Sequence, residues 1–239
     1  MQASGFLMEL VNNVLNMNKL ESGEMKPENK PFDLIELLTE TASIVEMQGQ
    51  EYAIHFQMQM GKHKYRHLIG SPLYLKQVLQ NIGGNAVKYN RAGGAVTFAS
   101  EDVAYSDGRA VIKFTCTDTG RGMSREFLAH AFEPFSQENT DARTTFTGTG
   151  LGLAITKQMV ELMEGTISLK SEQNVGTTIS VTIPFRIDVD YTELQEDVRP
   201  ADAASLEGVH VLLVEDNELN MEIAEFLLKN GRNHCNNGI

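Results

Sequence analysis

Apolar and polar positions alternate along the chain with two different periods, and the switches between them mark out its elements. Between Phe6 and Leu20 the residues Leu7, Leu10, Val11, Val14, Leu15 and Met17 recur at three- and four-residue steps, which predicts an amphipathic helix. Its apolar stripe needs cover, as a core helix or as half of a helical hairpin or coiled coil. Glu21, Ser22 and Gly23 end it. A second helical pattern, Leu34, Ile35, Leu37, Leu38, Ala42 and Val45, follows Pro31-Phe32-Asp33, with Asp33 placed to cap it. Tyr52 to Met60 alternates as a strand with Tyr52, Ile54, Phe56 and Met58 on one face. Ser71-Pro72 then starts a helix expected to run to about Tyr89, a capping hydroxyl preceding proline at the first helical position.

After the Gly93-Gly94 turn come strands expected at Ala95 to Ala104 and Arg109 to Thr117, joined by the hairpin signal Ser106-Asp107-Gly108. The stretch from Thr119 to Gly152 loses all periodicity, and loops of that length in compact domains usually carry function. Order returns with a helix from about Leu151 to Met163 and strands near Thr166 to Ser171 and Thr177 to Phe185. Residues 188–207 are acidic and poor in large apolar side chains, as in a linker. Beyond them, the run Val209 to Val214, the turn Glu215-Asp216-Asn217 and a helix with Met221, Ile223, Ala224, Leu227 and Leu228 suggest the opening of a new α/β unit.

Composition narrows the function. The chain has 239 residues, 41% of them hydrophobic, enough for one α/β domain with shorter pieces beside it. A formal net charge of −12 argues against nucleic acid as a partner, because binding that backbone calls for a basic face. Cys116 and Cys235 lie far apart, which predicts no disulfide framework and suits a reducing cytoplasm. No apolar run approaches the roughly 18 residues of a membrane span, so no membrane contact is expected of this segment.

Three clusters could carry chemistry. Asn81, Asn85 and Lys88 share one face of the helix begun at Ser71-Pro72. An amide oxygen there can join the oxygen shell of Mg²⁺ without neutralising it, although a solvated polar face explains the same spacing. Asp118-Thr119-Gly120-Arg121-Gly122 follows a strand directly, so the carboxylate can accept from an exocyclic amine while the glycines let backbone approach a base. Thr147-Gly148-Thr149-Gly150-Leu151-Gly152-Leu153 runs into a helix, where unpaired N–H groups form an anion site suited to a polyphosphate. A Rossmann dinucleotide site would need a strand leading into these glycines, and Arg143-Thr144-Thr145-Phe146 is loop-like.

In this order the clusters resemble the ATP site shared by histidine kinases, gyrase, mismatch-repair and heat-shock chaperone ATPases. Asn81-Ile82-Gly83-Gly84-Asn85-Ala86-Val87-Lys88-Tyr89, Phe132-Glu133-Pro134-Phe135 and Asn174-Val175-Gly176-Thr177 resemble the asparagine, phenylalanine and last glycine-threonine boxes of a sensor histidine kinase. The resemblance implies a two-layer α/β (α+β) sandwich of a mixed sheet and helices, of the Bergerat type, over residues 25–187. It implies Asn85 as Mg²⁺ ligand with Asn81 beside it, Lys88 on phosphate and Tyr89 beside the adenine. Asp118 would bind the adenine amine, Gly120 and Gly122 would shape its pocket, and Thr177 would support the base. Gly148, Thr149, Gly150, Leu151 and Gly152 would wrap the phosphates, and Arg121 to Thr147 would form a lid anchored by Phe132 and Phe135.

The flanks extend the resemblance. Residues 1–24, with Asn16-Met17-Asn18-Lys19-Leu20-Glu21-Ser22-Gly23, resemble the second helix of a dimerisation hairpin, and residues 208–239 resemble the start of a receiver domain. Together they imply a hybrid kinase, homodimeric in its parent form and open to an inner-membrane anchor there. Its partners would be a histidine-bearing helical hairpin and a receiver domain or response regulator. None of His55, His63, His67, His130, His210 and His234 is followed by an acidic residue, so the phosphoacceptor is expected outside this chain, which would not autophosphorylate alone. A water-activating glutamate, as in a hydrolytic ATPase, is missing between Ser71 and Tyr89. A nucleotide-binding regulatory or scaffold domain without kinase activity is the other reading.

Overall fold

Asp33 shows how local chemistry sets the first element boundary. The strand β1 (Lys30–Asp33) passes straight into helix α1 (Leu34–Gln50), and the Asp33 carboxylate accepts from the backbone N–H groups of Ile35 at 2.8 Å and Glu36 at 3.1 Å. Those donors have no partner within a helix, so the side chain supplies one. Its other oxygen accepts from Arg66 Nε at 2.5 Å. The structure, a computed structural model, describes Val11, Val14, Leu15 and residues 17–19, 22–138 and 149–191, all within the unit Met1–Gln195.

The remaining elements are β2 (His55–Met60), β3 (His67–Gly70), α2 (Pro72–Lys88), β4 (Ala95–Ser106), β5 (Arg109–Asp118), α3 (Arg125–Leu128), α4 (Gly152–Leu162), β6 (Thr166–Glu172) and β7 (Gly176–Ile187). The strands form one seven-stranded sheet in the order β1-β3-β7-β5-β4-β2, with β6 also on β7. Only β2 and β4 run parallel, so the sheet is mixed as expected. The Asp107-Gly108 turn has positive φ at both residues, 51° and 71°, the geometry a two-residue hairpin needs.

Alternation along the central strands separates two faces. Phe98, Ile112, Phe114, Cys116, Ile179, Val181 and Ile183 are buried on one face, beneath a layer of α1, α2 and α4. The helices contribute Leu34, Val45, Leu75, Val78, Ile82, Met159 and Val160, all at most 1% exposed. Each such side chain contributes roughly 1.5–3 kcal/mol by leaving water. The other face carries hydroxyls, with Thr115 bonded to Ser180 and Thr117 to Thr178 across β5 and β7. Burial pushes the Cys116 thiol well above its ordinary pKa, so it packs as a small apolar group.

Several expectations need correction. The Ser71 hydroxyl caps nothing: it is buried without a partner, and α2 starts on Pro72 alone. Tyr52 lies in a turn before β2 and is 45% exposed, so it does not share the inner face of Phe56 and Met58. The four-residue strands β1 and β3 were not expected from the sequence, and they are held by pairing with each other and of β3 with β7. In the N-terminal segment Met17 is buried against the core while Val11 and Leu15 are exposed, so the stripe is covered only in part. Residues 192–239, with the rest of the linker and the receiver-like segment, lie outside the described residues.

Gly83 tests the fit of the helical layer. A Cβ there would lie 2.7 Å from Val45 Cγ2 and 2.9 Å from the Phe98 ring, both buried. Alanine gains about 1 kcal/mol of helix propensity, while overpacking costs about 1–3 kcal/mol. Gly83→Ala is expected to lower the urea midpoint; an unchanged or higher midpoint would show that this layer has slack.

Candidate active site

The C-terminal end of β5 brings Asp118 opposite Thr177 on β7. One carboxylate oxygen accepts from Gly120 N–H at 2.8 Å and from Thr177 N–H at 3.3 Å. The second oxygen has no partner among the described residues and is available to a ligand amine. Burial raises the Asp118 pKa above the ordinary carboxylate value, opposed by those two backbone hydrogen bonds. Thr177 is buried, and its hydroxyl shares a 2.9 Å hydrogen bond with Ser171.

The glycines after Asp118 are there for space. A Cβ on Gly120 would lie 2.6 Å from the Tyr89 carbonyl oxygen, and one on Gly122, whose φ is +63°, 1.9 Å from the Glu172 carbonyl oxygen. The loop is thus pressed between the end of α2 and the β6–β7 turn. Arg121 N–H donates to Tyr89 O at 3.2 Å, and Asn174 N–H donates to Arg121 O at 2.7 Å. The Arg121 guanidinium sits 4.5 Å from the Tyr89 ring centroid, with Lys88 Nζ 5.4 Å from the same centroid.

Asn90 was not singled out by sequence. Its amide donates to Ala95 O at 3.0 Å, and Ala95 N–H donates to Thr119 Oγ1 at 2.9 Å, tying α2, β4 and the Asp118 loop together.

Asn81 and Asn85 lie one turn apart on α2, both half-buried. Asn81 Nδ2 donates to Gly152 O at 2.7 Å and to Thr156 Oγ1, so this amide faces the start of α4. Asn85 has no side-chain hydrogen-bond partner among the described residues. A Cβ on Gly152 would lie 2.9 Å from Asn81 Oδ1, so the glycine permits this approach of the two helices. Leu151 is 1% exposed and anchors the start of α4, and Thr149 Oγ1 accepts from its N–H at 3.3 Å. Gly150 packs on the lid segment, where a Cβ would meet the Phe135 carbonyl carbon at 2.7 Å.

Gly148 and residues 139–147 of the expected lid lie outside the described residues. Of the two expected apolar anchors, Phe132 is half-buried with Lys157 Nζ 5.8 Å from its ring centroid, but Phe135 is 68% exposed at a φ of +62°. Phe135 therefore contributes backbone, against Gly150, and its ring is no anchor among the described residues. Among the described residues no helix is long and apolar enough to cross a membrane.

Helix α2 thus joins two half-sites, the Asp118 loop at its C-terminal end and the glycine-led start of α4 at its middle. Residues 70–187 match the family described as histidine kinase-, DNA gyrase B-, and HSP90-like ATPase. The sensor histidine kinase AruS of Pseudomonas aeruginosa is 34% identical over 223 residues, covering 93% of this chain and 22% of that protein. The autoinducer 2 sensor kinase/phosphatase LuxQ of Vibrio harveyi is 28% identical over 227 residues, covering 93% of this chain and 26% of that protein. Among solved structures, full-length ShkA in complex with AMPPNP is similar at a TM-score of 0.66 and 29% identity, over 87% of this chain and 40% of that one. The mycobacterial sensor histidine kinase MprB matches at 0.53 and 25%, over 66% of this chain and 99% of that one. The chain belongs to this ATPase family and corresponds to the ATP-binding catalytic domain of sensor histidine kinases. It spans about a quarter of the length of the curated relatives it matches.

Because the folded state raises the Asp118 pKa, ionisation of this carboxyl works against the fold. Its contribution is intact below the ordinary carboxylate range and is lost as pH rises through the raised folded value. Asp118→Asn keeps an acceptor oxygen without the charge, so its stability relative to the parent chain should increase as pH rises across that window. Urea melts of both proteins at several pH values measure this; a difference that shrinks with rising pH would contradict the assigned direction.

Proposed function

We propose that residues 25–187 are the catalytic centre of a hybrid sensor histidine kinase. In this reading they bind Mg-ATP and present its γ-phosphate to a histidine on a helical hairpin, supplied by the rest of the parent protein or by its dimer partner. Residues 1–24 belong to that hairpin, residues 188–207 are a linker, and residues 208–239 open a receiver domain whose aspartate takes the phosphate onward. The observation that carries the reading is the position of α2, in contact with both the Asp118 loop and the start of α4.

The base end and the phosphate end have different chemistry. The unspent Asp118 oxygen accepts from the adenine amine, Gly120 and Gly122 shape the pocket by letting the loop close against the Tyr89 and Glu172 carbonyls, and Thr177 holds the carboxylate through its N–H. Tyr89, with Arg121 over its ring, borders the base. The backbone around Gly148, Thr149, Gly150, Leu151 and Gly152 receives the phosphates, with Lys88 adding positive charge.

Asn85 fits a magnesium ligand: its amide is half-buried and unpaired among the described residues, and it offers a neutral oxygen. No group of three or more His, Cys, Asp or Glu that could hold a metal occurs among those residues, which suits an ion held largely by phosphate oxygens and water. When bound, Mg²⁺ would offset phosphate charge. The chain's own part is to orient the triphosphate and exclude water while the histidine nitrogen attacks the γ-phosphorus. The bond to the bridging oxygen breaks, ADP leaves with its electron pair, and the histidine proton passes to a base on the hairpin.

Two measurements test this. Asn85→Ala is expected to weaken binding of Mg-ATP by about tenfold or more, the scale of losing one well-placed polar contact in a buried site. Unchanged affinity in Mg²⁺ would remove Asn85 from the site. Mixing the chain with γ-labelled ATP, Mg²⁺ and a separate histidine-bearing hairpin should give an acid-labile, base-stable phosphoprotein on the hairpin, and binding without transfer would leave a nucleotide module only.

A further inference from the structure

Thr156 is a polar residue on the buried face of α4. It is 1% exposed, among the buried Ala154, Ile155, Met159 and Val160. Its hydroxyl donates to Gly152 O at 2.9 Å, one turn back. With its proton committed there, the oxygen is an acceptor, and Asn81 Nδ2 donates to it. The same Nδ2 donates to Gly152 O at 2.7 Å, so both amide hydrogens of Asn81 are spent on α4.

This arrangement fixes which way round the amide stands. Turned over, it would set Asn81 Oδ1 against the Gly152 carbonyl oxygen, and the Thr156 hydroxyl could donate to that Oδ1 only by giving up its own bond to Gly152 O. One acceptor–acceptor contact and one hydrogen bond would replace three hydrogen bonds. Asn81 Oδ1 is therefore held as an acceptor against the start of α4, one turn from Asn85 on the same helix.

We infer that Thr156 is a positioning residue of the nucleotide site: it locks the Asn81 amide so that its oxygen, with that of Asn85, forms one acceptor array beside the phosphate-binding helix start. The inference rests on the Mg-ATP reading proposed above. Asn81 then serves the hydrated cation through its oxygen, and Thr156, together with Gly152 O, holds the amide in that orientation. Valine at this position keeps the branched shape but accepts no hydrogen bond, so the amide loses one of its two anchors. Serine keeps the acceptor.

The test is the ratio of AMPPNP affinity with Mg²⁺ to that without it, measured by titration calorimetry on the full chain, because loosening of the fold alone lowers both affinities together. Thr156→Val is expected to reduce this ratio about tenfold, and Thr156→Ser to keep it within about twofold of the parent chain. A parent-like ratio in Thr156→Val, or equal losses in Val and Ser variants, would overturn the inference. Should Thr156→Val fail to fold, Thr156→Ala, which also removes the hydroxyl, gives the same decision, with a reduced ratio supporting the inference and an unchanged one overturning it. A parent chain that binds no nucleotide in either buffer would overturn the nucleotide reading, and this inference with it.

Discussion

The pairing of β5 with β7 is the constraint on which the other elements depend. Its antiparallel register runs unbroken from Arg109 opposite Arg186 to Asp118 opposite Thr177. A slip of one residue would turn Ile112, Phe114 and Cys116 out of the core and the threonines into it. It would also move Thr177 N–H away from the Asp118 carboxylate. The same ladder therefore orients the core and places the half-buried Asp118 carboxylate at the site. The other strands attach outside it, β4 and β2 beyond β5, β3, β1 and β6 beyond β7.

Helix α2 converts that ladder into a site. Its apolar face, Leu75, Val78, Leu79, Ile82 and Ala86, is committed to the core, which leaves the amides one choice of direction. Asn81 reaches the start of α4, and the Tyr89 carbonyl reaches the Asp118 loop. In the function proposed above, a protein with a net charge of −12 would handle an anionic ligand locally, through backbone N–H groups, amides and the ammonium of Lys88, without calling on an extended basic surface.

Where a feature depended on neighbours in sequence, it could be read in advance. The helix from Pro72, the hairpin at Asp107-Gly108 and Asp118 at a strand end all follow from periodicity and short motifs. What depended on distant partners could not. The strands β1 and β3 are too short to show alternation and exist because Lys30 to Asp33 meets His67 to Gly70. Thr156 is 75 residues from Asn81, and no local pattern in the sequence links the two. Ser71 misled because a hydroxyl before proline is a good cap only when the backbone turns it inward, and here φ −107° and ψ 88° do not. Phe135 misled because an aromatic in a motif suggests packing, while its left-handed backbone is what meets Gly150.

The hydroxyl-bearing face of the sheet has a consequence for how such a unit can be used. Thr115, Thr117, Thr178 and Ser180 satisfy one another in pairs across the strands, so this patch of the sheet requires no apolar cover. A module placed beside that patch need supply no apolar surface to it, whereas on the inner face the N-terminal segment, through Met17, is part of the core's own cover.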